Sequence, residues 1–94
     1  MSSYIIVESN VLDSEKLKQY SQLAAPTVAK LGGEFLVKGE VLALQGESEF
    51  SKRAVIKFSN QLTAKQWYQS EEYQALIELR NQAMESRFHL VEAS

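Results

Sequence analysis

Arg80 is the residue whose type and position most favour binding chemistry. At helical spacing it lies in the middle of an apolar stripe formed by Tyr73, Ile77 and Met84. A guanidinium on an apolar helix face must pair with a carboxylate, extend its charged end to solvent, or receive an anionic ligand, because an unpaired buried charge is strongly destabilising. The sequence leaves all three possibilities open, and it makes Arg80 the first candidate for a ligand-binding residue.

Four further candidates lie just before Arg80 in the sequence. Trp67, Tyr68, Ser70 and Tyr73 surround the predicted joint between two helical pieces. Aromatic walls with hydroxyl tips suit a small cleft for an organic ligand, but they also suit ordinary core packing. We expect Trp67 to be part of the core, whereas the hydroxyl groups of Tyr68 and Tyr73 are compatible with either role.

Two weaker candidates lie on predicted strands. His89 is the sole histidine of the chain, and on a terminal strand a packed or hydrogen-bonded role is expected before that of a general base. Arg53 is expected to pair with Glu8 across two antiparallel strands, which is a structural role. No residue can be assigned a catalytic role from the sequence, so whether the protein is an enzyme is left undecided.

The residue types that the chain lacks restrict the reactions and cofactors that we expect. There is no cysteine, which excludes disulfides, thiolate chemistry and Cys-ligated metal sites. A haem or metal enzyme is disfavoured because one histidine leaves little to ligate iron, so we expect no cofactor and no metal. The chain also lacks GxGxxG, Walker and GxSxG motifs.

The charge and hydropathy of the chain restrict the classes of binding partner that we expect. Ten Lys and Arg residues against twelve Asp and Glu residues give a net charge of −2, which argues against binding to nucleic acid. The N-terminal residues lack a basic segment, and Ile5-Ile6-Val7 is too short for a signal core or a membrane span. We therefore expect a cytoplasmic protein with no membrane association.

The chain is predicted to form a single domain, residues 1–94. Its secondary-structure elements, which position these residues, are predicted from hydrophobic periodicity and from turn-forming residues. The first half is predicted as a strand over Tyr4–Ser9, a helix from Asp13 to Gly32-Gly33 that is kinked or broken near Gln22–Ala25 by Pro26, an extended segment over Glu34–Gln45 with a bulge at Gly39, and a turn over Gly46–Ser51. The second half is predicted as a strand over Arg53–Phe58, a helical region in two pieces with Ser70 capping the second, and a closing strand over Arg87–Glu92. The order βαββαβ predicts an α+β, ferredoxin-like fold: a four-stranded antiparallel sheet with its helices on one face.

The other face of that sheet is predicted to be covered. By strand alternation, Tyr4, Ile6 and Glu8 and then Arg53, Val55 and Lys57 point away from the helices. The apolar members of this set would form an exposed patch in a monomer. We therefore predict a homodimer that packs through the open sheet face, as in a dimeric α+β barrel.

Residues along the whole chain carry a family resemblance. They are Gly32-Gly33, Leu36-Val37-Lys38-Gly39, Lys52-Arg53-Ala54-Val55-Ile56-Lys57-Phe58, Trp67-Tyr68-Gln69-Ser70, Glu72-Tyr73-Gln74-Ala75-Leu76 and Arg80. With them the chain resembles the family of domain of unknown function 1330, in order from Tyr4 to Glu92 and most specifically between Trp67 and Arg80. Family members often carry a Trp-Pro-Pro-like turn before the third strand; this chain has Ser48-Glu49-Phe50-Ser51 there, so its loop is expected to differ in shape.

The resemblance implies the dimeric α+β barrel superfamily but no settled activity. Relatives in that superfamily include cofactor-free monooxygenases, haem-degrading enzymes and small isomerases, with ligands held between sheet and helices, and fold similarity does not transfer chemistry. The polar and aromatic positions that match the family are Arg53, Trp67, Tyr68, Ser70, Tyr73 and Arg80. We expect a homodimeric small-molecule-binding domain or cofactor-free enzyme for an anionic or carbonyl-containing metabolite; the alternative is a non-catalytic dimeric structural or interaction module.

Overall fold

A computed structural model describes all 94 residues, and it has the predicted βαββαβ order. The elements are β1 (Ser3–Val11), α1 (Ser14–Lys30), β2 (Glu34–Glu40), β3 (Lys52–Phe58), α2 (Gln61–Gln69), α3 (Glu71–Gln74), α4 (Ile77–Ala83) and β4 (Met84–Glu92). The four strands form one antiparallel sheet in the order β2-β3-β1-β4. The ferredoxin-like fold predicted from the sequence is confirmed.

Helix α1 begins and ends where the sequence indicates. The Asp13 carboxylate accepts a hydrogen bond of 3.1 Å from the backbone N–H of Lys16, which caps the first turn. At the other end Gly32 adopts φ +76°, a conformation that favours glycine, and its N–H donates to the Ala29 carbonyl over 3.0 Å. The chain is thereby turned from the helix into β2.

Of the kink or break predicted near Gln22–Ala25, the break is wrong, because α1 is continuous through Pro26. Proline removes the hydrogen bond that its N–H would donate to the carbonyl of Gln22. Both Gln22 and Pro26 are exposed, so water can satisfy that carbonyl. The loss of this one bond on the solvent side does not end the helix.

The strand boundaries differ from the prediction by more than one residue at three places. β1 continues through Asn10 to Val11, and β4 begins directly after α4 at Met84, because these two strands pair along their full lengths. β2 ends at Glu40, so the predicted extension to Gln45 is wrong. The irregularity in the pairing of β2 lies between Phe35 and Val37 rather than at Gly39, which simply pairs with Arg53.

The alternation of the central strands is confirmed. Ile5, Val7, Ile56 and Phe58 are buried under the helices, and the core cluster also contains Trp67. The opposite set forms cross-strand pairs on the open face, namely Tyr4 with Lys57, Ile6 with Val55, and Glu8 with Arg53. One face of the sheet therefore carries the main core, and the other mixes apolar and charged side chains.

The second helical region has three pieces where two were predicted. Ser70 separates α2 from α3: its hydroxyl donates to the Trp67 carbonyl over 2.7 Å and accepts from the Tyr73 N–H over 3.2 Å. A turn at Ala75 and Leu76 separates α3 from α4. These turns aim Tyr68, Tyr73 and Arg80 toward one another, although they lie on three different helices.

Residues 41–51 form an irregular loop that folds back onto the open face of the sheet. The side chain of Asn10 holds it by donating to the Glu49 carbonyl over 2.7 Å and accepting from the Ser51 N–H over 2.9 Å. Phe50 is 5% exposed and lies outside the main core cluster, with the Arg87 guanidinium 4.4 Å from its ring centroid. One end of the open face is thus covered by the chain itself.

None of the helices combines the length and the apolar character that crossing a membrane would require.

Candidate functional site

Arg80 and three tyrosines form a hydrogen-bonded cluster between the helices and β4. The Nη1 atom of Arg80 donates to the hydroxyl oxygens of Tyr68, over 2.9 Å, and of Tyr73, over 3.2 Å. The hydroxyl oxygens of Tyr73 and Tyr20 are 2.6 Å apart. The arrangement links a half-buried cation to two buried phenols, and we refer to Arg80, Tyr68, Tyr73 and Tyr20 as the Arg80 cluster.

The charge of Arg80 has no anionic partner in the chain. No carboxylate lies within the 4.0 Å limit for a salt bridge, and the remaining side-chain contact, from Nε to Asn81 Oδ1, is long at 3.4 Å. Aromatic faces surround the guanidinium instead, with its carbon 4.7 Å from the ring centroid of Phe88 and 5.8 Å from that of Tyr68. Of the possibilities that the sequence leaves open, an internal ion pair is not formed.

The helical stripe that singled out Arg80 is only partly correct. Tyr73 and Arg80 do meet, but they belong to α3 and α4, and Met84 is already the first residue of β4. Apolar periodicity predicts one helix here because it does not show the turn at Ala75 and Leu76. The contact survives because the turn at Ala75 and Leu76 brings the two short helices together.

Tyr20 is the functional candidate that the sequence analysis missed. It lies on α1 and is buried, with 8% of its surface exposed. Its hydroxyl is 53 residues from that of Tyr73 in the chain, so only the packing of α1 against α3 brings them together. The available signal was a phenol on a buried helix face, which requires a hydrogen-bonding partner.

Burial keeps both phenols of the pair protonated. Burial is the main cause that raises the pKa of Tyr20 far above its usual value, and proximity to Tyr73 raises it further. Burial also raises the pKa of Tyr73, although hydrogen bonds from Tyr20 and Arg80 offset part of the effect. Burial opposes the charge of Arg80, but the hydrogen bonds to Tyr68 and Tyr73 outweigh it, and the pKa of Arg80 is raised. Arg80 is therefore a cation beside the neutral hydroxyl groups of Tyr20 and Tyr73.

The cluster holds more hydrogen-bond donors than acceptors. Tyr20 and Tyr73 have two hydroxyl protons, but their mutual contact uses only one, and neither hydroxyl has another acceptor in the chain. Tyr73 accepts from Arg80, which makes its own proton a better donor, and this polarisation favours a chain from Arg80 through Tyr73 to Tyr20. In that chain the unused proton is on Tyr20.

Tyr20 lies in the wall of a cavity of about 290 Å³ between α1 and the sheet. Eleven of the 18 residues of the wall are hydrophobic; they include Val7, Val28, Ile56, Trp67 and Phe88. Arg80, Tyr68 and Tyr73 are not in this wall, so Arg80 reaches the cavity only through the hydroxyl chain. The cavity can receive a small organic molecule with a largely apolar body and an acceptor oxygen near Tyr20.

Trp67 and Ser70 support the cluster from the core. Trp67 is 1% exposed, as predicted, and its indole N–H donates to the hydroxyl of Thr27 over 3.0 Å. Its ring centroid is 4.3 Å from that of Tyr73, and its ring forms part of the cavity wall. Ser70 acts as a helix cap and does not reach the cavity.

Arg53 and His89 do not join the Arg80 cluster. The Arg53 guanidinium is turned to the open face, where it is 3.0 Å from the Glu8 carboxylate, as predicted, and donates to the Phe50 carbonyl over 3.1 Å. His89 is exposed on the same face, opposite Ile6. The seven predicted site residues are therefore divided between two sides of the sheet, with Arg80, Tyr73, Tyr68, Trp67 and Ser70 on the helix side.

A second cavity lies on the helix side of the sheet, next to the Arg80 cluster. The second cavity, of about 300 Å³, is lined by Ile5, Ala64, Lys65, Tyr68, Gln69, Phe88 and Leu90. Phe88 therefore contributes to both cavities. No three His, Asp or Glu side chains are grouped so that they could hold a metal ion.

Comparisons with solved structures support the fold. A protein of unknown function from Rhodopseudomonas palustris, RPA0582, is 15% identical, with a TM-score of 0.78 over 99% of this chain and 82% of that one. A dimeric ferredoxin-like protein of unknown function from Jannaschia sp. CCS1 is 11% identical, with a TM-score of 0.74 over 99% of this chain and 100% of that one. SnoaB, a cofactor-independent oxygenase from Streptomyces nogalater, is 10% identical, with a TM-score of 0.72 over 99% and 93% of the two chains.

At these identities the likeness shows the fold alone. No protein of curated function matches the sequence. The model of the family described as domain of unknown function (DUF1330) matches residues 2–94, almost the whole chain. The resemblance seen in the sequence is thereby confirmed, and the chain belongs to the DUF1330 family.

Proposed function

We propose that this protein is a homodimeric small-molecule-binding domain or cofactor-free enzyme, and that its ligand is a metabolite with an apolar body and an acceptor oxygen. The observation that carries the proposal is that Tyr20 and Tyr73 share one hydroxyl contact beside Arg80 and have no further acceptor, while Tyr20 lies in the wall of an apolar cavity; we place the unused proton on Tyr20. A buried donor without an acceptor is costly, so a ligand oxygen that accepts from Tyr20 gains more than it would in water.

The role of Arg80 in this proposal is indirect. Its charge polarises Tyr73, which in turn strengthens Tyr20 as a donor. Such a chain suits a carbonyl, enolate or phenolate oxygen that gains negative charge, because neutral, preorganised donors stabilise developing charge without being titrated themselves. This chemistry is compatible with cofactor-free catalysis, as in the SnoaB oxygenase of the same fold, and also with binding alone.

The homodimer is supported by the open face of the sheet and by a relative. Apolar side chains on this face include Val37 and Val91, of which 54% and 50% are exposed. The ferredoxin-like protein from Jannaschia sp. is described as dimeric. Pairing two open faces would remove these side chains from water.

A non-catalytic interaction module is the second candidate function. The observation in its favour is the loop of residues 41–51, where Leu42 and Leu44 are 84% and 94% exposed. Large apolar side chains at this exposure are typical of a surface that contacts another macromolecule. In this reading the Arg80 cluster only stabilises the core.

Two ligands of nearly the same shape test the proposed function. Acetophenone carries a carbonyl oxygen, and ethylbenzene lacks it. By isothermal titration calorimetry we expect the wild-type protein to bind acetophenone more tightly than ethylbenzene. Tyr20→Phe should weaken acetophenone binding by about five- to tenfold, as expected for the loss of one hydrogen bond, and should leave ethylbenzene binding unchanged.

The control variant is Tyr4→Phe, which removes a hydroxyl from the open face and should leave both affinities unchanged. If acetophenone binds equally well to the wild-type protein and to Tyr20→Phe, the hydroxyl chain is not a binding site. If neither compound binds, the cavity is not a ligand site, and the interaction module becomes the better explanation.

A further inference from the structure

Two unpaired lysines contribute to the wall of the cavity that contains Tyr20. Lys52 on β3 points to the helix side of the sheet by alternation with Ile56, and Lys38 on β2 does so because the irregularity between Phe35 and Val37 pairs it with Ala54. Neither forms a salt bridge, and the Lys38 ammonium lies 4.2 Å from the centroid of the Phe35 ring. Both cations are therefore available to a ligand.

The charge of this cavity wall is positive. Glu40 is its one carboxylate, next to Lys38 and Lys52, and Arg53 is already neutralised by Glu8 on the other face. The wall thus has one uncompensated positive charge in a protein with a net charge of −2. Because Lys38 and Glu40 are exposed, they mark the mouth of the cavity.

The two kinds of polar group lie on opposite walls. Tyr20 belongs to α1, and the lysines belong to the strands that face it, with apolar side chains such as Val28 and Ile56 between them. A volume of about 290 Å³ corresponds to about ten water molecules in the liquid, which suits a ligand on the order of ten non-hydrogen atoms. A ligand of that size with a polar group at each end can reach both walls.

From this arrangement we infer that the ligand is a small apolar carboxylate that carries a second, uncharged oxygen. Lys38 and Lys52 hold the carboxylate at the mouth, and Tyr20 donates to the second oxygen inside the cavity. The inference rests on the proposed function and specifies its ligand. It also changes the predicted binding site of the anion. The sequence pattern favours Arg80 as the residue that binds it, but Arg80 is not in the cavity wall, so the geometry assigns the carboxylate to the lysines.

The experiment compares acetophenone with 4-acetylbenzoate, which adds a carboxylate opposite the carbonyl group. Calorimetry should show that the wild-type protein binds 4-acetylbenzoate about tenfold more tightly, and that added salt reduces this advantage. The double variant Lys38→Met and Lys52→Met should lose the advantage and keep its affinity for acetophenone, which also reports that the cavity is intact.

Matched controls separate this site from other cations. Lys18→Met with Lys65→Met removes the same charge from two exposed helical lysines outside this wall and should keep the tenfold advantage. Arg80→Met should weaken both ligands to the same extent. If Arg80→Met removes the advantage and the Lys38/Lys52 variant keeps it, the carboxylate binds at Arg80 and the inference is wrong.

The two proposals fail in different ways. If acetophenone binds through Tyr20 but the carboxylate adds no affinity, the ligand is neutral, and only the inference about the lysines is overturned. If neither compound binds to the wild-type protein, the proposed function fails together with it.

Discussion

Tyr73 is the connecting residue of the Arg80 cluster, because its hydroxyl has more hydrogen-bond partners than that of Tyr20. Tyr73 contacts both Tyr20 and Arg80, whereas Tyr20 has Tyr73 as its only partner. Removing the Tyr73 hydroxyl therefore leaves a buried phenol without a hydrogen bond. Removing the Tyr20 hydroxyl leaves Tyr73 still bound to Arg80.

This asymmetry predicts the order of two stability effects. Tyr73→Phe should lower the free energy of unfolding by about 1–3 kcal/mol, and Tyr20→Phe by less, because only the first leaves a buried phenol with no hydrogen bond at all and also removes an acceptor of Arg80. The double variant should cost less than the sum of the two, since the orphaned group is then absent. Urea unfolding of all four proteins at one protein concentration measures these values. A larger cost for Tyr20→Phe, or strict additivity, would contradict the described chain.

At the scale of elements, the turn between α1 and β2 shows how closely the core restricts the backbone. A Cβ atom at Gly33 would lie 2.6 Å from atoms of both Val28 and Phe58, which are each 1% exposed and cannot move aside. At Gly32 there is open space, but φ is +76°. Adjacent glycines are therefore required for two different reasons, one for packing and the other for backbone conformation.

Three alanine substitutions test this distinction. Gly33→Ala should lower the melting temperature most, at a cost of about 1–3 kcal/mol from overpacking. Gly32→Ala should cost about 1–2 kcal/mol, because alanine is strained at positive φ. Gly39→Ala, on β2 with open space and no positive φ, should change stability by less than about 0.5 kcal/mol. Thermal unfolding followed by circular dichroism ranks the three, and equal effects at Gly33 and Gly39 would refute the packing argument.

The loop of residues 41–51 covers part of the open face and so reduces the area that a partner chain could contact. Its anchors, Asn10 and the contact of Phe50 with Arg87, lie at one end of the central strands. The other end, with Tyr4, Val55 and Val91, is left uncovered. A partner chain would therefore contact the uncovered part of the sheet and the exposed side of the loop.

For the whole molecule, this surface predicts the effect of a buried charge on dimerisation. Val55→Glu should convert the proposed homodimer to a monomer, because a carboxylate would be desolvated between two sheets. Val91→Glu, at a position that is half exposed in the single chain, should also weaken the dimer without affecting the fold. Leu62→Glu on α2, where 66% of the side chain is exposed, is the matched control and should stay dimeric.

Sedimentation velocity measures the mass of each variant, and far-ultraviolet circular dichroism checks that it is folded. A dimer that persists in both Val55→Glu and Val91→Glu would place the interface elsewhere. If the wild-type protein sediments as a monomer, the homodimer is no longer part of the proposed function.

Local patterns in the sequence determined the architecture of this protein. Strand alternation placed Ile5 and Val7 under the helices and Tyr4 and Ile6 on the open face, and the cap at Asp13 and the glycines at 32 and 33 set the ends of α1. These features follow from interactions between neighbours in the chain, which a sequence displays directly. The family membership could be predicted for the same reason, from residues spread along the chain.

The composition of the candidate site was decided by tertiary structure. The Tyr20–Tyr73 contact joins residues 53 positions apart, and the cavity brings Tyr20 together with Lys38 and Lys52 from two other elements. Periodicity made Arg80 prominent, but whether its charge meets a carboxylate, a phenol or a cavity depends on how the helices turn at Ser70 and Ala75. Hydrogen-bond partners and cavity walls arise from packing between distant segments, and one-dimensional spacing contains no information about that packing.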